Sequence, residues 1–195
     1  MSEVIIGAAI GAIGSIVGNI ISSTSTRIST GKLATDERGN CILPHPFPCA
    51  WCDYDLVCDE IRCTPEGSFT LSFDFLKCKS ANGVVPFVSM VFQFPEPLSL
   101  QDHKTLSFDL NLDCQDFNQV GVEIKNNHGD YNRKPIICTQ GSGWKSYSID
   151  LRNSVRSDIL GSVKEICFVV KKDYFKNGKK LRGSFTLRNI VISRD

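Results

Sequence analysis

The densest group of chemically capable side chains lies between residues 41 and 63. It comprises Cys41, His45, Cys49, Cys52, Cys58 and Cys63. A C-x-x-C pair followed by two further thiols has the makings of a tetrahedral zinc site. Cys49, Cys52, Cys58 and Cys63 are the four that would ligate. The first spacing suits a zinc knuckle, whereas Cys58 to Cys63 is one residue too wide. Two other readings stay open. The Cys49–Cys52 pair could exchange thiol for disulfide, although Asp53 and Asp55 beside it disfavour a thiolate. Alternatively, reduced cysteines sit in an irregular stretch with Pro44, Pro46 and Pro48 that packs on the domain.

A second group gathers around one turn: Glu123, Lys125, Asn127, His128, Asp130 and Tyr131, with Tyr147 further on. Sugar recognition needs an aromatic plane for stacking and directed hydrogen bonds around it. Tyr131 with Asp130 and Lys125 could supply both. The carboxylates Asp109, Asp113, Asp116 and Glu123 fall on polar faces or strand ends, and no spacing selects an acid–base pair. No nucleophile elbow, phosphate loop, zinc-protease helix or dinucleotide fingerprint occurs. The expectation is a protein that is not an enzyme and requires no cofactor. Structural calcium held by loop carboxylates, or zinc on the cysteines, is the metal chemistry left open.

The element that must carry these groups begins with an unusual segment. Val4–Ile21 contains no charge, and Gly7, Gly11, Gly14 and Gly18 recur at spacings of four, three and four. On a helix they form one stripe, with Ile10, Ile13, Ile16 and Val17 among the apolar residues around it. A helix apolar all round, with a groove of small residues, must be buried in lipid or against protein. Residues 4–21 are therefore expected to meet membrane lipid or copies of themselves in a homo-oligomer.

The net charge of +1 hides an asymmetry. Residues 1–63 sum to −3 and residues 124–195 to +9. Lys171, Lys172, Lys176, Lys179, Lys180 and Arg182 concentrate the positive charge, which suits an anionic surface or a solvated hairpin. Aromatic residues are sparse within the run, so no specific nucleic-acid partner is expected. The nine cysteines are an odd number, and the leading segment lacks a basic start and a cleavage site. Together these point to a cytoplasmic or membrane-associated protein with its β domain in a reducing compartment.

Strict alternation marks the rest. Phe69, Leu71, Phe73 and Phe75 share one face, as do Leu106, Phe108, Leu110 and Leu112, and then Val120, Val122 and Ile124. Turn residues separate eight or nine such strands. The predicted fold is all-β: a two-sheet jelly-roll sandwich over 41–195, preceded by an apolar glycine-striped α-helix over 1–22 and a polar linker over 23–40. The order Lys104–Leu110, Val120–Ile124, Gly143-Trp144 leading into Lys145–Leu151, Val163–Val170 and Gly183–Ile192 resembles the galactose-binding-domain-like jelly rolls. It is particularly similar to the carbohydrate-binding modules of bacterial glucanases, over about residues 66–193. The resemblance implies a glycan ligand and places Trp144 at the core edge.

Two functions follow. The first is a membrane-associated or self-associating protein, in its sharpest form a pore-forming effector, whose jelly roll recognises or scaffolds. The alternative is a soluble carbohydrate-binding module. Liposome flotation separates them: the membrane reading requires that the full chain float and a chain starting at Ser23 stay behind, and equal flotation removes it.

Overall fold

The computed structural model describes residues 35–38, 40–51, 61–76, 85–113, 119–132, 136–139, 143–174 and 182–194. The chain divides into Met1–Lys32 and Leu33–Asp195. The glycine stripe at Gly7, Gly11, Gly14 and Gly18, with Ile10, Ile13, Ile16 and Val17, lies outside the described residues. Among the described residues no helix is long and apolar enough to cross a membrane.

Ten strands are described: β1 (Phe47–Trp51), β2 (Arg62–Cys63), β3 (Phe69–Asp74), β4 (Phe87–Leu98), β5 (Thr105–Asp113), β6 (Gln119–Asn126), β7 (Ile136–Thr139), β8 (Trp144–Asp150), β9 (Val163–Lys171) and β10 (Arg182–Ser193). They form two five-stranded antiparallel sheets, ordered β1-β4-β9-β6-β7 and β2-β3-β10-β5-β8. Two short helical turns, Leu151–Ser154 and Ser157–Leu160, link β8 to β9. Asp150 caps the first by accepting from the backbone N–H groups of Arg152 and Asn153. The expected all-β sandwich is what forms. One local reading changes: the proline-rich stretch contains a strand, with Pro48 opposite Met90. β1 ends the sheet order among the described strands, where a missing N–H costs least.

Alternation decides which side chains enter the core. β5 alternates half-buried and buried from Thr105 to Leu112, sending Leu106, Phe108, Leu110 and Leu112 inward. Phe185 and Leu187 of β10, and Phe168 and Ile166 of β9, meet them in the same core. The sheets touch through aromatic rings. Phe168 lies edge-on to Phe108 of the opposite sheet at 4.9 Å, and edge-on to Phe92 of its own sheet at 6.0 Å.

A buried histidine breaks the apolar rule without a polar partner. His103, between β4 and β5, is 3% exposed, and neither ring nitrogen has a hydrogen-bonding partner. Burial and the nearby Arg194 charge pull its pKa below the usual 6.5, against a weaker opposing pull from Asp102. The folded chain therefore binds a proton less readily here than the unfolded chain. Stability from this group is complete above pH 6.5 and falls as the pH drops from there toward the folded value. His103→Leu should flatten the dependence of the urea midpoint on pH below 6.5 with no loss of stability at pH 8, because no hydrogen bond is given up.

A candidate binding face

The outer face of the sheet β1-β4-β9-β6-β7 carries three residues of the predicted site, Glu123, Lys125 and Tyr131. On β6, Val120, Val122 and Ile124 enter the core, so Gly121, Glu123 and Lys125 face outward. Register then assembles rows across the sheet. Gln93 lies opposite Glu165, and Glu165 opposite Lys125. The next row runs Phe47, Val91, Cys167, Glu123. The row beyond it runs Cys49, Ser89, Val169, Gly121.

Two ion pairs organise this face. Lys125 Nζ lies 3.5 Å from Glu165 Oε2, and Gln93 Nε2 donates to Glu165 Oε1 at 3.0 Å. Lys171 Nζ lies 3.3 Å from Glu123 Oε1. Glu123 sits opposite Cys167, four residues before Lys171 on β9, so the lysine arm crosses the row that contains Gly121. Burial disfavours the charge on Lys125, but the neighbouring carboxylates of Glu165 and Glu123 help outweigh it, and its pKa lies above the usual lysine value. Burial pushes the Cys167 thiol up to about 12, so it stays protonated. Ser89, Val91, Cys167 and Val169 form a buried floor. Exposed Phe47 stands on the β1 side, and exposed Tyr131 bridges to Lys125 beyond β6.

The turn after β6 is built by asparagines. Asn126 Oδ1 accepts from the backbone N–H groups of His128 at 3.0 Å and Asp130 at 2.9 Å. Gly129 takes φ 83°, a left-handed conformation that favours glycine. Asn132 is buried; its Oδ1 accepts from Ile124 N–H at 2.7 Å and its amide donates to Val122 O at 3.1 Å. This clip ties the returning chain to β6.

The predicted residues therefore separate. Glu123, Lys125 and Tyr131 share the face. Asn127, His128 and Asp130 occupy the turn, where Asn127 accepts from Ser162 Oγ and Asp130 accepts from the Asn126 amide. Tyr147 does not join them. It belongs to β8 in the other sheet, points inward and stacks on Phe108 at 5.5 Å. Glu165, Gln93 and Phe47 are the partners that sequence reasoning missed, because cross-strand register alone brings them in. Trp144, expected at the core edge, is exposed.

The basic run also divides. Lys171 faces Glu123, Lys172 lies in a 3-10 turn, and Arg182 lies 3.6 Å from Asp74. Lys176, Lys179 and Lys180 lie outside the described residues. Of the cysteine set, Cys49 lies on β1 and Cys63 on β2, in different sheets, both exposed. Cys52 and Cys58 lie outside the described residues. Among the described residues no group of three or more His, Cys, Asp or Glu is placed to hold a metal ion.

Solved structures share this architecture. The chain is similar in fold to carbohydrate-binding jelly rolls of the galactose-binding-like type. A family 11 carbohydrate-binding module from Clostridium thermocellum, in complex with a β-1,3-1,4-mixed-linked tetrasaccharide, matches at TM-score 0.50 and 16% identity, covering 76% of this chain and 88% of the module. PfGH50B matches at TM-score 0.53 and 11% identity, over 76% of this chain and 22% of that protein. An exo-β-agarase matches at TM-score 0.52 and 11% identity, over 85% of this chain and 25% of the agarase. The chain thus spans about a quarter of those two larger proteins. At such identities the likeness is one of fold. No family model matches the chain, and no curated protein matches it in sequence.

Removing the clip tests how the face is held. Asn132→Ala should lower stability by about 2 kcal/mol, since it leaves the Ile124 N–H and Val122 carbonyl without their partner. Denaturant midpoints measure this, and amide exchange at residues 122–132 should quicken in parallel.

Proposed function

We propose that this chain is a non-catalytic carbohydrate-binding module whose ligand lies along the outer face of the β1-β4-β9-β6-β7 sheet. The carrying observation is the row Gln93–Glu165–Lys125. It presents amide, carboxylate and ammonium groups side by side, and its order is set by backbone register and not by flexible loops. A sugar's hydroxyls both donate and accept, so a strip that alternates acceptors and donors matches them without net charge. Tyr131 and Phe47 add ring surface at the two sides of the strip. The fold likeness to a module complexed with a mixed-linked tetrasaccharide supports the reading.

Glu165 and Glu123 on this face are each tied to a lysine ammonium. That arrangement fixes acceptors in place, as recognition requires, and provides no free acid to deliver a proton to a glycosidic oxygen.

Affinity electrophoresis of the full chain through gels containing mixed-linked β-glucan or soluble agar fragments tests the proposal. Retardation by one of them is expected. Glu165→Gln combined with Lys125→Met should weaken it about tenfold, a loss of ~1.4 kcal/mol. Unchanged mobility in every gel would overturn the reading.

A further inference from the structure

The opposite sheet carries a second constellation that the proposed face does not use. Along β8, Tyr147 and Ile149 turn inward, so Trp144, Ser146 and Ser148 turn outward. The indole of Trp144 is 43% exposed. It rests on the guanidinium of Arg188 from β10, whose central carbon is 4.0 Å from the ring centroid. Arg188 is held in turn by Asp109 of β5, Nε to Oδ2 at 3.2 Å. Asp109 also accepts from Ser146 Oγ at 2.6 Å and from Asn189 Nδ2 at 2.8 Å. Asn189 donates from a left-handed backbone, φ 51°, at the bulge in the β5–β10 pairing. The hydrogen bond from Ser146, then that from Asn189, holds the Asp109 carboxyl below its usual range against a modest opposing effect of burial, and Arg188 adds to the effect. Four strand or bulge residues thus fix one indole plane in space.

We infer that Trp144 is the platform of a second glycan-binding site on the outer face of the β2-β3-β10-β5-β8 sheet. The surroundings select the ligand class. An exposed ring stiffened from behind by an arginine loses little freedom when something stacks on its free side. The outward positions beside it are polar: Asn111 opposite Trp144, Ser146 opposite Asp109, and Thr186 opposite Asn111. A protein partner would need apolar neighbours around the indole, and this face offers hydroxyls and amides instead. A polyanion would need excess positive charge. Among the described strand residues, the outward Asp74, Asp109, Asp113 and Asp150 outnumber Arg62, Arg182 and Arg188. A pyranose ring satisfies the set, with C–H groups over the indole and hydroxyls toward Asn111 and Ser146. Two glycan faces on opposite sheets would let one chain bridge two polysaccharide strands.

The chain has two tryptophans, Trp51 and Trp144, so 5-fluorotryptophan labelling of the full chain gives two fluorine resonances. Trp144→Phe assigns them. Titration with the mixed-linked β-glucan tetrasaccharide and with an agaro-hexaose, each into the millimolar range, should move the Trp144 resonance saturably. Arg188→Gln, which removes the ring's support and leaves the indole, should weaken that titration several-fold. Glu165→Gln with Lys125→Met should leave it unchanged. Movement of the Trp144 resonance that persists in the Glu165 and Lys125 variant supports this site independently of the proposed face. Loss of its movement in the Glu165 and Lys125 variant would show that one site serves both, and would overturn the inference. So would a Trp144 resonance that stays still with both sugars, whatever the other resonance does.

Discussion

The contact between Phe168 and Phe108 carries the architecture. Its rings meet at 4.9 Å, nearly perpendicular, closer than Phe69 and Phe92, which also meet between the sheets at 5.8 Å. Because strand side chains alternate, fixing one inward residue fixes every other residue on that strand. With Phe168 inward, Glu165, Cys167 and Lys171 must point out. With Phe108 inward, Asp109 and Asn111 point out on the opposite side. Replacing the Phe168 ring would cost several kcal/mol through lost burial and the cavity left behind. A one-residue slip of β9 would do more, turning Glu165 and Lys171, one partner of each ion pair, into the core.

The outer faces differ in how they spend charge. On the β6–β9 side, the lysine and glutamate side chains of both pairs are less than one-third exposed. Such partly desolvated pairs add little net stability, since the cost of leaving water offsets their attraction. What they supply is order: four long side chains held in place over a buried floor. On the β5–β10 side, a single carboxylate collects three donors and steadies an arginine under an indole. Both arrangements hold their polar groups in fixed positions.

The sequence disclosed as much as strand alternation can. Leu106 to Leu112 and Val120 to Ile124 could be assigned an inward face at sight, and Glu123 and Lys125 therefore an outward one. Their partners could not be found the same way. Glu165 lies 40 residues from Lys125 and Gln93 lies 72 from Glu165, and only hydrogen-bonded register joins them. β8 misled for a different reason. Its inward positions include Lys145 and its outward ones include Trp144, the reverse of what hydrophobicity suggests. An edge position in the described sheet lets Lys145 place its ammonium 5.1 Å from the Tyr147 ring while its backbone stays in register with Leu110. Tyr147 then stands on the opposite face from Trp144, three residues away. His128 is exposed in its turn, whereas His103, with no apolar pattern around it to mark it, is buried.

Amide chemical-shift mapping of the full chain with the mixed-linked tetrasaccharide and agaro-oligosaccharides tests the central claim, that the β1-β4-β9-β6-β7 sheet presents a glycan face. The account predicts perturbations tracking across strands, at Gln93, Glu123, Lys125, Glu165 and Cys167, with the intervening core positions Ile124 and Ile166 responding less. Shifts confined to other surfaces, or none with any of these sugars, would contradict it.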